Sequence, residues 1–224
     1  MLKINVNSEL IRKFSEIIQG ILKKIENGDY GKALTDIDSA FKDFFRLGSK
    51  FFNSLAVDNL LDMVKTNNIM DVDKCIIMAK LMMEEGRAKE KLYDENESFN
   101  IYQKSLFLYI EAFDNVDEEV ELDKYFSDIK ILISKLSNYK LSLKLDKQII
   151  NYYLKKKEYD SAENFLYDIL EEECYKQESI DYALSFYKSL LDKHDTELTN
   201  GNLPREEILD SLDNLQKKST ASSL

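Results

Sequence analysis

The sequence predicts an all-α fold, and three observations carry that expectation. Six Gly and one Pro in 224 residues leave few obligatory turns or bulges, which favours long helices joined by short polar loops. Every apolar pattern longer than about ten residues repeats with helical period. A stripe of four side chains, spaced by three, four and three residues, returns along the chain. It reads Tyr30-Ala33-Ile37-Ala40, then Tyr102-Ser105-Tyr109-Ala112, then Tyr159-Ala162-Leu166-Ile169. An aromatic side chain followed one turn later by Ala or Ser lets a neighbouring helix approach closely, as antiparallel helix hairpins require.

Taken in order, Ser8 is a candidate N-cap for a first helix, with Phe14, Ile18, Ile21 and Ile25 on its apolar face. Asn27-Gly28-Asp29 ends it, and a second helix over Tyr30–Leu47 returns as its hairpin partner until Gly48 stops it. A shorter helix is expected over Leu55–Val64, closed by Thr66-Asn67-Asn68. Asp71 can cap a long helix reaching about Leu92, with Cys75, Met78, Ala79, Met82 and Met83 inside. The next begins after Asp94-Glu95-Asn96 and carries the second stripe through Phe113. Asp114 to Glu119 reads as an acidic loop, and Leu122 to Leu136 as another amphipathic helix. Helices over Ser142–Lys156 and Glu158–Tyr175 form a second hairpin, and Ile180 to Leu191 mark a helix ending near His194. Asn200-Gly201-Asn202 is the clearest turn. Pro204 starts a last helix, whose stripe is Leu203, Ile208, Leu209, Leu212 and Leu215. The expected organisation is one helical domain over 1–218 with a flexible tail over 219–224, about ten helices and no strand.

The stretch Asn27 to Ala40, with Gly28-Asp29-Tyr30 and Ala33, resembles the second half of a tetratricopeptide repeat (TPR), and Lys157-Glu158-Tyr159-Asp160-Ser161-Ala162 is similar with Lys in place of Gly. The repeat's Trp is absent, and so is the Pro that normally closes each unit. The offsets between the three stripes are irregular. The resemblance therefore implies a TPR-like array of antiparallel hairpins with degenerate repeats. Over nearly its whole length the order of features also resembles a bacterial family of uncharacterised TPR-like proteins. The stretches Lys74 to Gly86 and Leu203 to Ile208 carry that likeness. It implies a fold and transfers no catalytic residues.

Composition narrows the function classes. A formal net charge of −11, with 42 acidic against 31 basic residues, argues against a phosphate backbone as partner. Lys155-Lys156-Lys157 reads as a solvated helix end. Lys80 interrupts the apolar run around Cys75 to Met83, so no membrane-spanning stretch is expected, and Met1 to Asn7 lacks an apolar core of signal-peptide length, so no signal peptide is expected. Cys75 and Cys174 lack metal-ligand spacing and read as buried, reduced thiols of a cytoplasmic protein. His194 is the sole histidine, which leaves no multi-histidine metal site and little basis for a nucleophile–base pair. The acidic runs Asp117-Glu118-Glu119 and Glu171-Glu172-Glu173 lack the pattern of a calcium loop and read as solvated faces. No cofactor and no catalysis are expected.

What remains is recognition. Lys147 and Asn151 stand four residues apart on a predicted inner helix. Some TPR domains hold a peptide's terminal carboxylate with Lys and Asn in this relation. Tyr153 and Tyr182 could line the same groove, since a Tyr-rich surface suits a peptide. The expectation is a protein- or peptide-interaction module whose partner is a protein or peptide, favoured if basic by the acidic surface. The alternative is a small-molecule sensor or enzyme using a pocket between helices.

Overall fold

The computed structural model describes residues 2–116 and 120–221, with side chains for 8–116 and 120–218. Among the described residues there are twelve α-helices, one 3-10 helix and one two-stranded hairpin, so the fold is all-α. The chain gathers into two compact units, Met1–Lys140 and Leu141–Leu224.

In the first unit α1 (Leu2–Glu26) and α2 (Tyr30–Phe45) form the expected hairpin. The helix begins before Ser8, which lies inside it and not at its N-terminus. Gly28 takes φ +79 at the turn, a left-handed conformation that glycine adopts without a Cβ penalty. Phe14, Ile18, Ile21 and Ile25 face Ala33, Ile37, Ala40 and Phe41 across the buried seam. Two short helices follow, α3 (Ser49–Ser54) and α4 (Val57–Met63). Where the sequence reads as a plain helix stop, strands β1 (Lys65–Thr66) and β2 (Ile69–Met70) pair around Asn67 and Asn68. Both asparagines have positive φ, 53 and 62, the twist that a two-residue hairpin loop demands and that Asn tolerates. This small hairpin corrects the expectation of no strand.

The centre of this unit is α5 (Val72–Lys91) packed on α6 (Glu95–Asp114). Asp71 caps α5 as expected, its carboxylate accepting from Lys74 N at 3.0 Å, and Asp94 caps α6 through Glu97 N. The second stripe is wholly buried, and its small residue is where the backbones meet, because Ser105 Oγ donates to the Ala79 carbonyl at 2.7 Å. Gly86 lies under Tyr102, so close that a Cβ there would stand 2.8 Å from the ring. Beyond the acidic loop the single expected helix divides into a 3-10 turn, Asp123–Ser127, and α7 (Asp128–Leu136). Asp117, Glu118 and Glu119 lie outside the described residues.

The second unit holds α8 (Leu143–Lys156), α9 (Tyr159–Glu172), α10 (Gln177–Leu191), α11 (Asp195–Asn200) and α12 (Arg205–Ala221). Tyr159, Ala162, Leu166 and Ile169 are all buried. Lys157 fills the left-handed position that Gly28 occupies in the first hairpin, with φ 58. The Gly201 carbonyl accepts from Tyr159 N and Asp160 N, both at 3.1 Å, so this turn satisfies the open N-terminus of α9. A Cβ at Gly201 would meet the Tyr159 ring at 2.3 Å. Arg205 ties the end of α10 to the start of α12 by donating to the carbonyls of Leu191 and Lys193, at 2.9 and 2.6 Å. Pro204 stands one residue ahead of α12, its carbonyl taking the first helical bonds.

The last stripe holds with one exception. Leu203, Ile208, Leu212 and Leu215 are buried, whereas Leu209 is half exposed because it sits a full 100° round the helix from Ile208. The backbone of α12 continues to Ala221, into the segment expected as a tail.

Candidate functional site

Lys147 and Asn151 lie one turn apart on α8, so both side chains leave the helix on one face. The Lys147 ammonium sits 4.6 Å from the centroid of the Tyr182 ring on α10, a cation–π contact that joins the two helices. Asn151 is exposed one turn further along. Tyr153 stands apart. Two residues beyond Asn151 it has turned to the opposite side of α8, where it is buried and stacked on Phe165 of α9 at 6.0 Å. Burial raises the hydroxyl pKa of Tyr182, and raises that of Tyr153 with help from Glu158 and Asp160, so both rings act here as neutral phenols. The structure thus brings together Lys147, Tyr182 and the open amide of Asn151, and leaves Tyr153 in the core.

A second constellation lies in the first unit. Every residue of α5 from Cys75 to Gly86 is buried, including Lys80, Glu84 and Glu85. Lys80, Glu84 and Arg87 follow one another at four and three residues and share a face. Opposite them, Asp128, Ile131 and Lys135 share a face of α7 at three and four residues. Together with Leu22, Met83 and Tyr102 they line a cleft of about 330 Å³. Lys80 Nζ lies 2.9 Å from Glu84 Oε1 and 2.8 Å from Asp128 Oδ2, and the Tyr109 hydroxyl donates to that same Asp128 oxygen at 3.1 Å. Burial alone would lower the Lys80 pKa, but the two carboxylates outweigh it and hold the ammonium above its ordinary value.

Lys135 donates to both oxygens of Glu90 at 2.7 Å, and the Tyr102 hydroxyl adds a third bond at 2.8 Å. Burial pushes Glu90 up, yet these donors prevail and hold it below the usual carboxylate range. Among the described residues, nothing donates to Glu84 Oε2. Arg87 Nη1 stands 3.6 Å from it, an ion-pair distance beyond hydrogen-bond reach.

The other candidates are quieter. His194 is exposed between α10 and α11. Cys75 is buried and its thiol donates to the Leu108 carbonyl at 3.3 Å; burial, then Glu111 and Asp71, push its pKa far up, which suppresses the thiolate. Cys174 is exposed, a correction to the expectation of two buried thiols, because the chain leaves α9 there in a left-handed turn with φ 51. Glu171 and Glu172 are exposed and Glu173 is half-buried. Among the described residues no helix is long and apolar enough to cross a membrane.

The model of a family of unknown function, DUF6483, matches residues 1–220. The chain belongs to that family. No curated protein and no solved structure matches it. In this DUF6483 member the α5–α7 cleft is what sequence reading missed. Its signal was present as charges at helical spacing, 80-84-87 and 128-135.

Proposed function

We propose that this chain is a TPR-like interaction module of the bacterial cytoplasm, without catalysis, that recognises a protein or peptide partner at the α8–α10 face. The observation that carries the reading is the placement of Lys147 over Tyr182 beside the open Asn151 amide. A ring face holds an ammonium without consuming its hydrogens, so the cation is positioned and still able to donate. A carboxylate is its natural complement, and an amide one turn away can bond the adjoining peptide group. The burial of the Tyr159-Ala162-Leu166-Ile169 stripe on α9 supports that architecture. The net charge of −11 favours a partner with basic residues before its terminus.

The test is fluorescence anisotropy with a set of labelled basic peptides, each made with a free and an amidated C-terminus. The free-acid forms bind at least about tenfold tighter, and Lys147→Ala removes that difference. Equal binding of acid and amide, or no binding by any member, overturns the proposal.

A further inference from the structure

The cleft among α1, α5, α6 and α7 carries an inference independent of the α8–α10 face. Its charges are unevenly committed. Deep in the cleft, Lys80 is taken up by Glu84 Oε1 and Asp128, whereas Glu84 Oε2 is a buried acceptor to which no described residue donates, on a side chain only 1% exposed. A carboxylate oxygen removed from water without a donor costs free energy, unless something entering the cleft supplies one. The cations lie further out. The Arg87 side chain is 43% exposed and stands at ion-pair distance, 3.6 Å, from Glu84. The Lys135 ammonium spends two hydrogens on Glu90 and retains a third. Leu22, Met83 and Ile131 line the same cleft and supply its apolar surface.

We propose that this cleft binds a free α-amino acid with an apolar side chain, its ammonium donating to Glu84 Oε2 and its carboxylate held by Arg87 and Lys135. An inorganic anion would satisfy the outer cations and leave Glu84 Oε2 without a donor. A simple amine would satisfy Glu84 and leave the guanidinium fork empty. Only a molecule bearing both charges a short distance apart meets both needs, and the volume of about 330 Å³ lies at the small end of the range for ligand pockets. Arg87 is suited to the outer role because its planar fork matches a carboxylate at two points.

The experiment is calorimetric titration of the full chain with the apolar L-amino acids from valine to phenylalanine, each beside its methyl ester and its des-amino acid, with inorganic phosphate as the anion control. At least one amino acid binds, and loss of either charge weakens it by about tenfold or more. Arg87→Ala, at a part-exposed position, abolishes the preference for the acid over the ester in a chain that circular dichroism shows to be folded. Glu84→Gln removes the preference for the amine. Failure of every amino acid to bind, equal binding of a charge-deleted analogue, or phosphate binding as tightly as the amino acid overturns the proposal.

Discussion

Along α5 the side chains from Cys75 to Gly86 are all buried, whereas along α8 buried Leu145, Ile149 and Tyr152 alternate with exposed Lys144, Asn151 and Lys155. A helix enclosed on every side has nowhere to send a charge, so its Lys and Glu must meet partners inside. Lys80 does so with Glu84 and Asp128. In the second unit the corresponding polar contacts sit at the rim. The Tyr159 hydroxyl donates to Glu197 at 2.6 Å and the Tyr187 hydroxyl to Glu163 at 2.6 Å, with the rings buried and the carboxylates reaching water. The same residue types therefore serve different ends. In the first unit they fix the relation of α5 to α7 and shape a cleft; in the second they edge a packed seam.

The sharpest way to break that distinction is Asp128→Ala. It leaves the Lys80 ammonium with Glu84 as its remaining carboxylate and takes the acceptor from the buried Tyr109 hydroxyl, so the loss should fall toward the low end of the about 3–5 kcal/mol that breaking a buried pair costs. Urea unfolding monitored by circular dichroism checks it; a loss below about 1 kcal/mol, the level of a surface pair, would make the network no different from the rim contacts.

A second prediction uses pH. Glu85 is 3% exposed and accepts from Asn53 Nδ2 at 2.8 Å; burial pushes its carboxyl up to about 7, against the weaker pull of Asn53 and Lys89. The folded state therefore holds the proton more tightly than the unfolded chain. Its contribution is complete below the ordinary value of 4.5, declines through the interval above it and is gone once pH passes about 7. Glu85→Gln mimics the neutral acid, so it should gain on the parent by up to about 3 kcal/mol as pH rises from 4.5 to 8. Parallel stability curves for the two proteins would remove Glu85 as a titrating core group.

The contrast also explains what was legible in the sequence. Amphipathic helices announce themselves by period, so α2, α8, α9 and α12 stand close to their expected bounds and α1 ends where expected although it begins before Ser8, and Asp71, Asp94 and Ser142 cap helices as capping residues should. An enclosed helix has no polar face, and the sequence pattern around Lys80 shows only an interrupted apolar run. That Lys80 is buried depends on Asp128, forty-eight residues away, and no local rule supplies that pairing. The same logic applies to the site. That Lys147 and Asn151 share a face of α8 follows from four residues making about one turn, and the nearness of Tyr182 from the alignment of successive hairpins. Tyr153 was misplaced because two residues along a helix reverse direction. Asn67-Asn68 read as a helix stop when it is a hairpin turn, since asparagine serves both.

A smaller effect sharpens the account of the second unit. Ala162 is fully buried on the α9 stripe, and Ala162→Leu forces extra volume into a packed crossing at a cost of about 1–3 kcal/mol. A thermal melt superimposable on the parent would show that the small residue is not where the helices touch.

The most direct measurement is a pair of double-mutant cycles, one on Lys80 and Asp128, the other on Tyr159 and Glu197, each read by urea unfolding at neutral pH. The enclosed pair should couple by about 2–3 kcal/mol and the rim pair by about 1 kcal/mol or less. Equal coupling energies, or a stronger rim pair, would contradict the claim that the first unit is held by its interior charges and the second by its apolar seams.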